Sequence, residues 1–285
     1  MKTSLSVVLA THNEEQVLAK CLESVKAIAS EIVIVDGESR DKTVEIAKKF
    51  GARIITTTNK QNFHINKNMA IDAAKSDWIL QLDADEVVSP ELAAEIKQTI
   101  NYPSSTINYD GFWINRKNWF LTRFLSKGGQ YPDKTLRLYK KGKGRLPAID
   151  VHEQAVVEGE VGHLKSDLLH YRDMSFEKYM EGFNRYSSFT ATQLAGQNVK
   201  FTILNTFKYL FILPLRTFLK LFIRHRGYVD GFAGFVFALY SGLIHPVAYI
   251  KFWQNKYYPM VKNNTPSFGS PPLKLRGGTE GGDTI

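Results

Sequence analysis

Two acidic side chains that follow an apolar run are the most chemically informative feature of the sequence. The segment Trp78-Ile-Leu-Gln-Leu-Asp83-Ala-Asp85-Glu86 is typical of a buried strand that ends in two acids separated by one residue. If the strand geometry continues to its end, the Asp83 and Asp85 side chains project on the same side, because side chains alternate along a strand. Two neighbouring carboxylates repel each other unless a cation lies between them, and a hard divalent ion such as Mg²⁺ or Mn²⁺ suits this role. The alternative is that both acids are ordinary polar residues at the start of a loop.

Polar side chains also follow the first two predicted strands. Asp36 ends the second, where an acid in a nucleotide-binding unit accepts hydrogen bonds from a base or a ribose. Thr11, Asn13 and Glu14 follow the first and are candidate ligand contacts, although helix capping explains Asn13 equally well. Because ligands of open α/β sheets bind at the carboxyl ends of strands, these three strand ends together predict one site.

The elements that position these residues follow from hydrophobic periodicity. Over the first hundred residues, short β-branched runs alternate with amphipathic patterns, which is typical of parallel βαβ units. Helices are predicted between the strands, from 65 to 74, from Ser89-Pro90-Glu91 to Ile100, and from 175 to about 194. Short apolar segments broken by Gly, Pro and Asn predict antiparallel or mixed strands between 110 and 171. The predicted strands are 5–10, 32–35, 53–57, 78–82, 111–115, 135–139, 153–157 and 168–171.

The composition changes after residue 200. Residues 201–223 are apolar but interrupted by basic residues and a proline, which favours a helix lying in a bilayer interface over one that spans it. Residues 231–250 are more apolar, but His245-Pro246 is expected to break that run after about 14 residues, short of the roughly 20 that a spanning helix needs. We expect a re-entrant or interfacial helix pair, and the alternative is a buried core hairpin of a soluble domain.

The charge and composition of the chain limit the classes of binding partner. The chain of 285 residues carries 37 basic and 28 acidic side chains, and eight of the basic ones lie between 201 and 262 with a single acid, Asp230. A basic stretch of this kind suits anionic lipid, whereas its density of Leu, Ile and Phe is too high for a nucleic-acid face. Hydrophobic residues make up 44% of the chain, which excludes disorder throughout. One cysteine, Cys21, and no signal-like start predict a cytoplasmic compartment.

Several common site motifs are missing from the sequence. No G-x-G-x-x-G follows the first strand, and no G-x-x-x-x-G-K-[ST] occurs, so dinucleotide oxidoreductases and P-loop enzymes lose their main support. No Cys/His cluster has zinc spacing and no G-x-S-x-G elbow is present. A nucleotide diphosphate held through a metal ion remains.

The same residues resemble glycosyltransferases of family 2, which have the nucleotide-sugar-binding fold called GT-A. The matching segments span roughly residues 4–90, and they are Val7–Glu15, Val33–Thr43, Asn66–Asn68 and Asp83–Glu86. Two later segments, Tyr131–Leu138 and Val151–Glu153, resemble the subgroup that contains bacterial lipopolysaccharide-core β-glucosyltransferases. The second strand ends in Asp36-Gly37-Glu38-Ser39, whereas many members have two adjacent acids followed by Gly-Ser, so the ribose contact is not assigned.

The resemblance implies roles for individual residues on the donor side. A nucleotide sugar, preferably a UDP-sugar, would lie across the strand ends with Asp36 at its base. Asp85, supported by Asp83, would hold Mg²⁺ or Mn²⁺ against the diphosphate, and the metal would neutralise charge on the leaving group. Lys67, near a helix start, would add positive charge, although a solvated surface lysine is an equal alternative.

On the acceptor side, the resemblance implies an inverting enzyme with a carboxylate that removes the acceptor proton. Asp133 is the preferred base and Glu153 is its rival. Arg137 would orient Asp133 or a phosphate, and His152 is a further candidate for the metal or the diphosphate. A turn residue after a proline is the alternative for Asp133.

We therefore predict an α/β protein with a GT-A-like fold, a mixed, mainly parallel sheet flanked by helices, and an apolar C-terminal helical region. Residues 1–200 would form the transferase domain, with a nucleotide-binding half (1–100) and an acceptor half (101–200), followed by a membrane-associating region (201–260) and a disordered tail (261–285). The predicted acceptor is a glycolipid or oligosaccharide of surface polysaccharide or lipopolysaccharide synthesis, met at the cytoplasmic face of the inner membrane by a peripheral or monotopic enzyme. The alternatives are a sugar-phosphate nucleotidyltransferase and an inactive membrane-bound scaffold of the same fold.

Overall fold

A twisted sheet with helices on both faces forms the larger part of the molecule. The structure is a computed structural model that describes residues 3–60, 62–101, 109–148, 154–173 and 175–258. The strands are β1 (Leu5–Thr11), β2 (Glu31–Asp36), β3 (Arg53–Thr56), β4 (Trp78–Gln81), β5 (Glu86–Val88), β6 (Gly111–Phe120), β7 (Arg123–Phe124), β8 (Asp133–Lys140), β9 (Gly144–Arg145), β10 (Val156–Val157) and β11 (Val161–Asp173). The helices of this part are α1 (Leu18–Val25), α2 (Thr43–Lys49), α3 (His64–Ala73), α4 (Pro90–Asn101) and α5 (Phe176–Gly196).

The sheet is mixed but mainly parallel. Its strand order is β3-β2-β1-β4-β8-β6-β11-β5, with β7 paired to β6, and β9 and β10 form a separate two-stranded sheet. The β3-β2-β1-β4 block and the β6-β11 pair are parallel, whereas β8 and β5 run against their neighbours. This arrangement confirms the predicted fold class, and it brings the carboxyl ends of β1, β2 and β4 to one edge.

Two hydrophobic cores lie on opposite faces of this sheet. Leu5, Val7 and Leu9 of β1 pack with α1, α2 and α4, whereas Val8 packs with α3 on the other face. Both faces are apolar because a central parallel strand is covered on each side. The helices therefore hold the strands rigid, and the loops at the strand ends carry the polar side chains.

Several boundaries differ from the sequence prediction. β4 ends at Gln81, and Asp83 to Glu86 form a turn in which the Glu86 amide donates to the Asp83 carbonyl at 3.0 Å. Strand alternation therefore does not explain how the two aspartates come together. β6 and β11 extend well beyond the predicted segments. The strand predicted at 153–157 is reduced to β10, and the start of that prediction lies outside the described residues.

The C-terminal region is a pair of packed helices. The first is a continuous run of α6 (Ile203–Phe207), a π-helical turn (Lys208–Ile212), α7 (Leu213–Leu219) and a second π-helical turn (Lys220–Arg224). A 3-10 turn (Gly227–Asp230) then leads into α8 (Gly231–Tyr257). A Cβ on Gly242 would lie 2.7 Å from the Pro214 carbonyl oxygen, so glycine permits the close approach of α7 to α8.

The predicted helix break at His245-Pro246 is wrong, because α8 continues through Pro246 to Tyr257. Proline removes one backbone hydrogen bond from the helix, but packing on both sides outweighs that loss. His245 Nε2 lies 3.0 Å from Thr217 Oγ1 on α7. Farther along α8, Lys251 Nζ donates to Asn184 Oδ1 on α5 at 2.6 Å.

A buried carboxylate fastens the helix pair to the sheet domain. Asp230 is 1% exposed, and it accepts hydrogen bonds from the backbone amides of Ser126 (3.0 Å) and Lys127 (2.8 Å). The hydroxyl of Ser126 donates to it as well, at 2.7 Å. Because three donors satisfy this charge, the loop after β7 and the start of α8 form one unit.

Many apolar side chains of the helix pair remain exposed. Ile203, Leu204 and Phe232 are 89%, 82% and 77% exposed, so these side chains do not pack in a core. Large exposed apolar groups that cluster in this way usually mark an interaction site. Among the described residues, one helical stretch, Gly227–Tyr257, is long and apolar enough to cross a membrane, and 39% of its most apolar window is buried. The tail predicted at 261–285 lies outside the described residues.

Candidate functional site

A cleft of about 780 Å³ opens at the carboxyl ends of β1 and β4, between α3 and α5. Its walls come from the end of β1, α3, the turn after β4, the strands β6 and β11, and α5. The lining residues include Thr11, His12, Glu14, Phe63, Asn66, Lys67, Asp83, Asp85, Arg116, His170, Arg185 and Tyr186. A cavity therefore lies at the predicted strand ends, and Thr11, Glu14, Lys67 and both aspartates line it.

Asp83 is held by internal ion pairs. Its carboxylate contacts Lys67 Nζ and lies 2.6 Å from Arg137 Nη2, which also contacts the fully buried Glu86 at 2.8 Å. Burial alone would raise the pKa of Asp83, but the charges of Arg137 and Lys67 outweigh it and hold that pKa well below the usual range. Burial lowers the pKa of Lys67. Asp83 therefore orders the turn and its basic neighbours.

Asp85 faces a histidine that the sequence analysis did not single out. Its Oδ2 lies 3.3 Å from Nε2 of His170 on β11, and the Tyr171 amide donates to the Asp85 carbonyl at 2.9 Å. The register of β11 against β6 places His170 opposite Asn118. The two side chains meet at 2.7 Å through Nδ1 of the imidazole and Oδ1 of the amide.

The hydrogen bonds define the orientation of this imidazole. Asn118 Nδ2 lies 3.1 Å from Asp133 Oδ2, and an ionised carboxylate only accepts, so the amide nitrogen faces Asp133. Oδ1 of the amide then faces His170, whose Nδ1 carries a proton and donates. In the neutral ring, Nε2 presents a lone pair to the Asp85 carboxylate. Two acceptors at 3.3 Å repel each other unless a proton or a cation joins them.

A shared proton is one solution, and the other is a divalent cation that binds both the Asp85 oxygen and the His170 nitrogen. Among the described residues, no group of three or more His, Cys, Asp and Glu side chains is arranged to hold a metal ion. A cation here would take its remaining ligands from phosphate oxygens and water, which is the usual behaviour of Mg²⁺ in phosphate sites.

Asp133 stands on the other side of Asn118 and has one free oxygen. Its Oδ2 accepts from Arg116 Nη2 (2.8 Å) and Nε (3.0 Å), because the register of β6 against β8 places these two residues opposite each other. Arg116 Nη1 also reaches Glu86, 3.2 Å away. Within the described part of the chain, Asp133 Oδ1 accepts no hydrogen bond. The carboxylate is 34% exposed, so this oxygen is accessible.

The end of β2 supports the cleft from behind. Asp36 is 1% exposed, and its carboxylate accepts from Thr11 Oγ1 (3.1 Å), Ser39 Oγ (2.6 Å) and the Ser39 amide (2.9 Å). Asn13 has a positive φ of 57°, and its Oδ1 accepts from the Arg40 amide at 2.8 Å. These contacts order the loops after β1 and β2. The structure thus places Asp36 beside the cleft residue Thr11.

Glu14 is an acid of the cleft whose pKa is shifted upward, in contrast to that of Asp83. Burial, followed by the negative charge of Asp85, raises the pKa of Glu14 to about 7. Its backbone amide donates to Thr43 Oγ1 at 2.7 Å, so the residue is well anchored. A cation near Asp85 would offset this repulsion and favour the ionised form.

Comparison with known proteins assigns the family. Residues 6–155, more than half of the chain, match the family model described as Glycosyl transferase family 2. The chain belongs to glycosyl transferase family 2. This family 2 glycosyltransferase is 33% identical to an uncharacterized glycosyltransferase of Rickettsia typhi over 244 residues, covering 81% of this chain and 80% of that protein.

Two further comparisons are with named proteins. The chain is 28% identical to the lipopolysaccharide core biosynthesis glycosyltransferase LpsC of Rhizobium meliloti, over 84% of this chain and 87% of LpsC. A crystal structure of TarS residues 1–349 from S. aureus superposes with a TM-score of 0.44 and 15% identity, over 90% of this chain and 93% of that chain. The sheet topology and the family together establish the GT-A-like fold of this glycosyltransferase.

Some predicted site residues of the glycosyltransferase are placed differently or not described. Arg137 does not contact Asp133; it lies between Asp83 and Glu86, and Arg116 orients Asp133 instead. His152 and Glu153 lie outside the described residues.

Three polar residues of the site were missed by the sequence analysis: Arg116, Asn118 and His170. Each had a weak signal. Arg116 and Asn118 have the period-two spacing of one strand face, and His170 interrupts an apolar strand.

Proposed function

We propose that this family 2 glycosyltransferase is an inverting, metal-dependent enzyme that moves a sugar from a nucleotide sugar, preferably a UDP-sugar, to a lipid-linked or lipopolysaccharide-core saccharide. One observation carries the proposal: Asp85, His170, Asn118 and Asp133 form an unbroken series of contacts between a cation-compatible pair and an accessible carboxylate. Sugar transfer requires stabilisation of the leaving group and removal of a proton from the acceptor. The Asp85–His170 pair would serve the first requirement, and Asp133 would serve the second.

On the donor side, the cleft would hold the nucleotide with its diphosphate at the end of β4. Asp85 and His170 would bind Mg²⁺ or Mn²⁺, with Asp83 ordering the turn that carries Asp85. A bound cation there would supply Lewis-acid stabilisation of the departing diphosphate. Lys67 adds a buried positive charge in the same wall, while Thr11 and Asp36 would face the nucleoside end.

On the acceptor side, Asp133 is our proposed general base, in preference to Glu153. Its Oδ1 would accept the proton of an acceptor hydroxyl as that oxygen attacks the anomeric carbon. The carbon–oxygen bond to the diphosphate breaks on the opposite side of the sugar, and the configuration inverts. Arg116 and Asn118 hold Oδ2, so that Oδ1 keeps its direction during the proton transfer.

The helix pair would hold the enzyme on the membrane that carries its acceptor. Its exposed face combines large apolar groups such as Leu204 and Phe211 with the exposed cations Lys208, Arg216, Lys220, Arg224 and Arg226. Apolar groups enter the acyl region, and lysines and arginines bind anionic headgroups. LpsC, the relative named for lipopolysaccharide core biosynthesis, supports an acceptor of this kind. The location that we propose is the cytoplasmic face of the inner membrane.

The experiment that tests the reaction is release of nucleoside diphosphate from a panel of UDP-, GDP- and dTDP-sugars, with Mg²⁺, Mn²⁺ or EDTA and a bacterial glycolipid extract as acceptor. We expect turnover of one donor that EDTA abolishes. Asp85→Asn should lose activity by several orders of magnitude, about the size that an essential electrostatic group supplies. Asp72→Asn, an exposed acid paired with Arg145, is the matched control and should keep full activity.

Two other results would replace the proposal. Release of pyrophosphate from a nucleoside triphosphate and a sugar phosphate would favour a nucleotidyltransferase. Absence of both turnover and binding of every donor would favour an inactive scaffold of the same fold.

A further inference from the structure

A second cavity, of about 300 Å³, adjoins the cleft on the side of the C-terminal helices. It shares the lining residues Arg116, His170 and Tyr186 with the cleft, so the two cavities lie side by side. Asp133 lines this second cavity and does not line the cleft. A ligand there would therefore meet the donor at the proposed base.

The two walls of this cavity differ in chemistry. The sheet supplies a polar floor, and α5 and α8 supply an aromatic wall. Tyr240 of α8 contacts the rings of Phe176, Tyr179 and Phe183 at centroid distances of 5.4, 5.8 and 5.7 Å. Edge-on packing of this kind holds the rings in place, so the wall is preformed.

Three polar groups along the aromatic wall and its rim are unused. In the portion of the chain that the structure describes, no hydrogen bond is formed by the side-chain amide of Gln130, the hydroxyl of Ser241 or the hydroxyl of Tyr240. A preformed pocket with apolar walls and a few convergent polar groups is the usual form of a small-molecule site. A pyranose ring matches it, because the ring has apolar C–H faces and a rim of hydroxyls.

We propose that this cavity is the acceptor subsite and that it takes the terminal pyranose of a lipid-anchored saccharide. The ring lies against Tyr240, its hydroxyls bind Gln130 and Ser241, and the reacting hydroxyl reaches Asp133 Oδ1. The proposal rests on the transfer reaction proposed above, and it adds the cavity that binds the acceptor sugar and the residues that select it.

The position of α8 explains why the saccharide is lipid-anchored. Phe237, Tyr240 and Ser241 face the cavity, whereas Phe235 and Trp253 of the same helix are exposed. A helix rises about 1.5 Å per residue, so Phe235 lies roughly 8 Å along the axis from Tyr240. The bound acceptor sugar is thus separated from the exposed apolar face of α8 by the length of a few sugar units. It is a sugar unit close to the lipid anchor, and the saccharide that carries it is short.

Steady-state kinetics with two substrates test the subsite. Tyr240→Leu keeps an apolar side chain but removes the ring and the hydroxyl, and Gln130→Ala removes a loop amide. Each should raise the acceptor KM about 10-fold or more, since unpaired polar groups discriminate strongly. The UDP affinity, measured by calorimetry with Mn²⁺, should change less than 2-fold. Tyr228→Leu, an exposed tyrosine before α8, is the control and should change neither quantity.

A binding measurement separates failure of the subsite from failure of the reaction. Saturation-transfer NMR with the oligosaccharide released from the same glycolipid reports contact without turnover. Signals in the wild type that disappear in Tyr240→Leu support the subsite, and equal signals in both proteins overturn it. Equal acceptor KM values, or a parallel loss of UDP affinity, also overturn it. Saccharide binding without turnover of any nucleotide sugar would reject the proposed reaction and leave the subsite standing.

Discussion

Nδ1 of His170 lies 2.7 Å from Oδ1 of Asn118, and the Nδ2 of that amide is 3.1 Å from Asp133. One amide therefore orients both the imidazole that faces Asp85 and the carboxylate proposed as the base. The link crosses β6, with His170 contributed by β11 on one side and Asp133 by β8 on the other. The residues proposed for metal binding and for proton removal are thus positioned by adjacent strands of one sheet.

Asn118→Ala should lower the affinity for the divalent metal 10- to 100-fold, because the His170 imidazole loses the contact that sets its tautomer. The measurement is the Mn²⁺ concentration that gives half-maximal nucleoside diphosphate release. His170→Ala should have a larger effect, since it removes the proposed ligand itself. His163→Ala changes an exposed histidine of the same strand and should be silent. A normal metal requirement in Asn118→Ala would contradict the linkage.

Asp133→Asn should lower kcat by about 10²- to 10⁴-fold, the usual contribution of a general base. UDP affinity should not change, because Asp133 lies outside the donor cleft. Glu153→Gln is the informative comparison, and we expect it to keep substantial activity. The opposite ranking of these two variants would make Glu153 the base.

Arg137→Leu should cost about 3–5 kcal/mol of unfolding free energy, because it leaves two carboxylates, Asp83 and Glu86, without their shared partner in a buried site. Chemical denaturation measures this change. Arg145→Leu breaks an exposed pair with Asp72 and should cost less than about 1 kcal/mol. Equal losses in the two variants would show that the buried network contributes no special stability.

Local patterns predicted the fold and one half of the site. The strand before Asp83 and the polar residues after β1 and β2 are visible in single segments, because they depend on spacing along the chain. The partners of Asp85 and Asp133 are not visible in this way. His170 meets Asn118 across 52 residues, and only the register of β11 against β6 brings them together.

Tertiary packing also overrode a local rule. Pro246 was expected to end a helix, but contacts of α8 with α5 and α7 keep it continuous. The ion pairs of Asp83 with Lys67 and Arg137 were not predicted either, and a metal shared by Asp83 and Asp85 stays a prediction. Neither outcome can be derived from the spacing of residues, because each depends on groups that are distant in sequence.

The raised pKa of Glu14 predicts a pH-dependent stability in the metal-free protein. Between its usual pKa of about 4.5 and the folded value of about 7, the folded chain keeps a proton that the unfolded chain releases. The free energy of unfolding should therefore fall as the pH rises through this window. Denaturant titrations in EDTA measure the slope. In Glu14→Gln this part of the slope should be absent, and identical slopes in both proteins would contradict the assignment.

The exposed face of the helix pair predicts binding to anionic vesicles. Ile203 and Leu204 are almost fully exposed, and burial of a large apolar side chain contributes about 1.5–3 kcal/mol, so Ile203→Ser with Leu204→Ser should weaken vesicle binding at least 10-fold. Sedimentation with phosphatidylglycerol vesicles measures this, and added salt should weaken the wild type because lysines and arginines bind the headgroups. Val156→Ser removes an exposed apolar group on β10, away from the helices, and is the control. Equal sedimentation of all three proteins would show that Ile203 and Leu204 do not contribute to vesicle binding.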